Sequence, residues 1–131
     1  MSRPVVLYAC IHNSGRSVAA LYLTRALFPM IDARSAGSEP GTEVNPGVAA
    51  VLAERGISVS DHVPSLLTWE GVQQADVVVT MGCGETCPAF PGKTYEDWAV
   101  DDPKGQDLET VRRIVDDVEA RVRDLATRLG V

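Results

Sequence analysis

The run Cys10-Ile11-His12-Asn13-Ser14-Gly15-Arg16-Ser17 sets a thiol six positions ahead of an arginine, in company with a glycine and two hydroxyls. Upstream, Val5-Val6-Leu7-Tyr8-Ala9 is a short apolar run of the kind buried in a parallel sheet; downstream, Val18, Leu21, Tyr22 and Arg25 begin a helical spacing. Cys10 is therefore expected where a strand ends and a loop turns into a helix. The N–H groups of such a loop and of the first helical turn have no partners of their own, and with the positive end of the helix dipole they favour a tetrahedral anion. The same field favours a nucleophilic thiolate over the thiol. Arg16 can add two parallel hydrogen bonds to the anion, a geometry that lysine lacks.

Cys10 is thus the candidate nucleophile, and Ile11, His12, Asn13, Ser14, Gly15, Arg16 and Ser17 the candidate anion-binding residues. Ser17 can donate to the thiolate, Asn13 can bond across the loop and hold its shape, and Gly15 permits a backbone path that a side chain would obstruct. His12 is expected to face away, and His62 to be an ordinary loop histidine. A cysteine closing a buried strand can equally be a small core residue; the agreement of glycine, hydroxyls and strand-loop-helix context selects chemistry.

Two more thiols lie in Gly82-Cys83-Gly84-Glu85-Thr86-Cys87-Pro88. Four residues separate them, and the glycines give the backbone freedom to bring the Cα atoms within the roughly 7 Å that a bridge needs. Beside a nucleophilic thiol such a pair permits a relay, in which each thiolate attacks the preceding sulfur. The alternative is a buried or metal-binding pair. Zinc requires four ligands, and beyond the cysteines only His12 and His62 remain, so a closed metal site is poorly supplied and none is expected.

With Cys10 to Ser17 close to the start of the chain, the sequence resembles the low-molecular-weight protein tyrosine phosphatase superfamily. Arg34-Ser35-Ala36-Gly37-Ser38, Asn45-Pro46, Asp76-Val77-Val78-Val79-Thr80-Met81-Gly82-Cys83 and Asp101-Asp102-Pro103 narrow the resemblance to arsenate reductases built on that scaffold. The resemblance implies that Asp102 protonates the leaving oxygen, with Asp101 the competing candidate. It implies conversion of arsenate to arsenite through a Cys10 adduct, a Cys10 to Cys83 disulfide and a Cys83 to Cys87 disulfide reduced by thioredoxin, with no organic cofactor and with phosphate and sulfate as competing anions. Some related reductases hold potassium beside the loop with acidic residues, whereas the matching positions here carry Leu21 and Ser65. The rivals are a mycothiol- or glutathione-dependent reductase served by a glutaredoxin-like protein, a tyrosine phosphatase, and an arsenite-binding or redox-sensing protein with no need of Arg16. The thiol pair and the lack of tyrosines beside the Asp-Pro turn argue against the phosphatase.

The positioning elements follow from pattern. A helix to about Phe28 is stopped by Pro29. Strands are predicted over Ile31 to Ala36, Asp76 to Met81 and, at an edge, Lys93 to Ala99. Helices are predicted from Pro46 to Gly56, from a Thr68 cap through Gln74, and from Leu108 to Leu129, the last with Val111, Ile114, Val115, Val118, Val122, Leu125 and Leu129 on one face. Alternating strands and helices imply a single-domain α/β three-layer sandwich over residues 1–131: a four-stranded parallel sheet flanked by helices, with the site at the carboxyl ends of the strands.

At 131 residues and 45% hydrophobic composition the chain can bury one real core. A net charge of −6 and the lack of a basic stripe exclude a nucleic-acid partner, so the anion must be attracted locally. Neither a signal peptide nor a membrane span is read at the N-terminus, so a cytoplasmic location is expected, and a monomer. Three cysteines in such a compartment point to chemistry rather than to a disulfide framework.

Overall fold

The structure, a computed structural model, describes residues 3–82 and 93–131. In chain order the elements are β1 (Val5–Cys10), α1 (Arg16–Leu27), β2 (Asp32–Gly37), α2 (Pro46–Glu54), α3 (Trp69–Gln74), β3 (Val77–Thr80), β4 (Thr94–Asp97) and α4 (Leu108–Leu129). The strands form one sheet in the order β2-β1-β3-β4, and every pairing is parallel.

Strand alternation sorts β1 between two layers. Val6, Tyr8 and Cys10 enter the larger core beneath α1, α2 and α4, with Val77 and Val79 from β3. Leu7 and Val78 enter the smaller core on the opposite face, with Ala36 and, from α3 and its end, Val72 and Ala75. Cys10 therefore shares a face with α1. Helix α4 contributes the apolar stripe predicted for it, from Val111 to Leu125, with Ala126 buried and Leu129 packed at its margin. Burying a side chain of this size contributes roughly 1.5 to 3 kcal/mol.

Capping sets the helix ends. Asn45 accepts from Val48 N at 3.1 Å, Thr68 from Gly71 N at 3.0 Å and Asp107 from Thr110 N at 2.8 Å. Gly56 follows α2 with φ +78°, a left-handed turn that glycine takes without a Cβ penalty. β2, β3 and β4 are shorter than predicted, or shifted. Asp76 stands just before β3, where its N–H donates to Val5 O and its carboxylate accepts from Val5 N, both at 2.8 Å, joining the starts of two strands. Strand β2 runs one residue later than predicted at each end, and β4 keeps only Thr94–Asp97, beyond which Trp98 turns into the core at 5% exposure.

One buried polar contact locks α1 onto β1. Thr24 donates to Ala20 O, so the Tyr8 hydroxyl donates to Thr24 Oγ1 at 2.8 Å. Burial pushes the Tyr8 phenol up to about 12 and keeps it a donor. The Trp98 ring packs 5.7 Å from that of Tyr8. Among the described residues no helix is long and apolar enough to cross a membrane.

Candidate active site

The loop from β1 to α1 is held from outside by its carbonyls. Ser38 N donates to Cys10 O at 3.2 Å, Glu39 N to Ile11 O at 2.7 Å, Gly41 N to His12 O at 2.9 Å and Asn45 N to Ser14 O at 2.7 Å. Gly15 O accepts from Ala19 N, and Asn13 O accepts from the His62 ring. Six consecutive carbonyls are thus engaged. Among the described residues the N–H groups of 11–17 find no backbone acceptor. The loop also lies against bare backbone, since a Cβ on Gly37 would stand 2.6 Å from Ile11 O and 2.8 Å from Asn13 N.

Inside the loop the side chains form a chain of donors. Asn13 is fully buried at φ +50°, a left-handed position that asparagine tolerates better than most residues. Ser65 N donates to its Oδ1 at 3.0 Å, which fixes the amide so that Nδ2 donates to Ser17 Oγ at 2.8 Å. The Ser17 proton is thereby directed to Cys10 Sγ, 2.9 Å away.

His62 corrects a sequence expectation. Far from being an ordinary loop residue, it donates from Nε2 to Asn13 O and receives the Tyr22 hydroxyl at Nδ1, both at 3.3 Å. Burial holds it below the ordinary histidine range, with the nearby Arg25 charge acting in the same direction. The neutral ring satisfies both contacts. His12, as expected, turns outward; it is exposed and bonds Glu39 O through Nδ1, yet its residue borders the cleft. At Gly15 the demand is for space: its φ is −129°, and a Cβ would stand 2.9 Å from Pro103 Cγ.

Cys10, Arg16, Asn45, Asp102, Pro103 and Lys104 border one cleft of about 420 Å³. Arg16 is only 12% exposed; it donates to Val100 O at 3.3 Å and stands 4.0 Å from the carboxylate of Asp102. Asp102, 60% exposed, is oriented by Lys104 N, which donates to its other oxygen at 3.0 Å. Asp101 borders a different depression, with Thr110, Arg113 and Asp117 beside α4. Cys83 and Cys87 lie outside the described residues. Their predecessor Gly82 does not, and it packs directly on the Arg16 guanidinium.

The residues where related reductases hold potassium do not fit a cation. Leu21 is apolar and buried, Ser65 N is committed to Asn13, and the Ser65 hydroxyl donates to Ser35 O at 3.1 Å.

Residues 5–131 match the family described as low molecular weight phosphotyrosine protein phosphatase. The chain belongs to that family. An arsenate reductase of Halalkalibacterium halodurans is 34% identical over 137 residues, covering 96% of this chain and 97% of the relative. The thioredoxin-dependent arsenate reductase of Corynebacterium glutamicum superposes with a TM-score of 0.82 at 38% identity over 98% of this chain. This chain spans 63% of the length of that protein. A solved arsenate reductase in its phosphate-binding state gives a TM-score of 0.82 at 30% identity, covering 95% of this chain and 98% of that one. The low-molecular-weight phosphatase-like fold and the arsenate reductase kinship expected from the sequence are both found.

Proposed function

We propose that this chain reduces arsenate to arsenite, with Cys10 as the nucleophile and thioredoxin as the final reductant. The observation that carries the site is the donor chain Ser65 N, Asn13, Ser17, Cys10 at the centre of a loop whose carbonyls all face outward. The Cys10 thiolate attacks arsenic. Arg16 and the N–H groups of 11–17 hold the oxyanion, and Asp102 gives its proton to the departing hydroxide, which leaves as water. A positioned acid of this kind is worth roughly 10² to 10⁴ in rate.

Reduction requires a second thiol. Cys83 attacks Cys10 Sγ, the sulfur-arsenic bond breaks with its electron pair on arsenic, and arsenite departs as the Cys10 to Cys83 disulfide forms. Cys87 then attacks Cys83 and releases Cys10. The Cys83 to Cys87 disulfide passes to thioredoxin, whose dithiol is oxidised in exchange. Gly82 supports this order, because it stands against Arg16 and Cys83 is the next residue in the chain. Phosphate and sulfate share the tetrahedral geometry and compete for the loop. The remaining assignments are a single domain over 1–131, a monomer and a cytoplasmic location.

Peptide mapping after one turnover without reductant tests the sequence of steps. Cys87→Ser should trap the Cys10 to Cys83 disulfide, Cys83→Ser should stall before arsenite leaves, and the wild type should accumulate Cys83 to Cys87. Normal turnover of the Cys83→Ser, Cys87→Ser double variant with mycothiol would replace the relay by the small-thiol mechanism.

A further inference from the structure

Gly82 leaves the end of β3 at φ +76°, just after Met81 N has bonded Ala9 O at 2.8 Å and fixed the exit of β3 beside that of β1. A Cβ at this position would collide with one terminal nitrogen of Arg16 and stand 2.8 Å from Cζ and 3.2 Å from the other nitrogen. Non-bonded heavy atoms do not tolerate the first of these approaches. On its other sides the same guanidinium has Val100 O at 3.3 Å and the Asp102 carboxylate at 4.0 Å. Any side chain at position 82 would therefore push the guanidinium out of the place from which it reaches the cleft. Two demands meet at this residue, a left-handed backbone and an empty volume, and only glycine satisfies both.

We infer that Gly82 is a positioning residue for the anion site: the space left by its missing side chain is the seat of the Arg16 guanidinium. This rests on Arg16 being the anion's arginine, and it goes further by making the aim of Arg16 depend on the residue that leads into Cys83. An anion held by a misdirected guanidinium loses a charge-assisted, two-pronged contact. The loss belongs to binding and orientation, not to the thiol itself.

Gly56 supplies an internal control, since it has φ +78° and nothing within 4 Å of the point where an alanine methyl would stand. Alanine there meets the left-handed backbone cost alone, away from the cleft. The measurement is the sulfate concentration that half-protects Cys10 from alkylation in the reduced full-length protein. Gly82→Ala should raise that concentration about tenfold or more, the scale of one hydrogen bond to a charged group, while Gly56→Ala should match the wild type. Protection of Gly82→Ala at the wild-type concentration, or an equal rise in Gly56→Ala, would overturn the inference.

If Gly82→Ala does not fold, the Arg16→Ala, Gly82→Ala double variant decides the matter. Its recovery to the thermal stability of Gly56→Ala would show that the clash runs through Arg16; its failure to fold would place the cause elsewhere and overturn the inference. Sulfate protection needs no arsenate turnover, so the two proposals fail separately. A wild type that is protected by sulfate but inert toward arsenate would sink the reductase function and leave Gly82 in its role.

Discussion

Asp101 and Asp102 are adjacent in sequence and separate in surroundings, which makes the pair a test of the acid. Asp102 shares a cleft with Cys10 and is held by Lys104 N, whereas Asp101 faces α4. Asp102→Asn should lower kcat by roughly 10² or more with little change in anion binding, and Asp101→Asn should lower it by less than about tenfold. Steady-state arsenate reduction by the two variants checks this, and a larger loss at Asp101 would exchange their roles. At this scale the sequence is legible where partners lie close along the chain. Asn13, Ser17 and Cys10 sit within eight residues of one another, so their chemistry can be read from type and spacing. The role of His62 cannot, because its partner Asn13 is 49 residues away and no local pattern separates a histidine braced across two loops from a solvated one. Gly37 and Pro103 stand inside family motifs, but the close approach that explains each depends on loops that meet only in the fold.

The elements follow from periodicity and caps, and most stand nearly where those signals put them: α4 runs over the predicted residues, and Thr68 caps α3. The misplacements fall where a side chain or a neighbouring strand decides the end, as at Asp76, whose carboxylate accepts from Val5 N while its own N–H donates to Val5 O. Helix α2 serves the site through its first residues. Asn45 caps the helix with its side chain and holds Ser14 O with its N–H, so one residue joins helix start to anion loop. Asn45→Ala should cost about 1 kcal/mol, the typical value of an N-cap, and should lower the melting temperature by roughly 3 to 5 °C. Calorimetry with and without sulfate checks both duties. Because the Ser14 contact is made by backbone, the stabilisation by sulfate should survive the substitution.

Across the whole molecule the charge balance and the proton balance point the same way. The net charge of −6 means that the global field does not draw an anion in, so binding depends on Arg16 and the loop amides. Acid should destabilise the fold in two stages. His62 is held below the ordinary histidine value of about 6.5, so the unfolded chain takes up its proton first; stability from this group is complete above that value and falls as pH drops through it. Glu96 is held below the ordinary carboxylate range chiefly by hydrogen bonds from Arg128, so its contribution is complete above about pH 4.5 and is lost as pH falls further. Melting temperatures measured from pH 8 to 3 should therefore fall in an upper and a lower step, with His62→Gln removing the upper one alone. A curve for His62→Gln identical in shape to the wild type would show that the ring is not held neutral against Asn13.

The central claim joins a phosphatase-type anion loop to thiol chemistry that ends on thioredoxin, and one coupled assay reaches it directly. NADPH oxidation is followed with purified thioredoxin, thioredoxin reductase and this protein before and after arsenate is added. Arsenate should start NADPH consumption in stoichiometric match with arsenite formed; Cys10→Ser and Arg16→Ala should each abolish it, and phosphate should inhibit it competitively. No arsenate-dependent NADPH consumption in this system, with full turnover when mycothiol and its glutaredoxin-like partner are supplied, would contradict it.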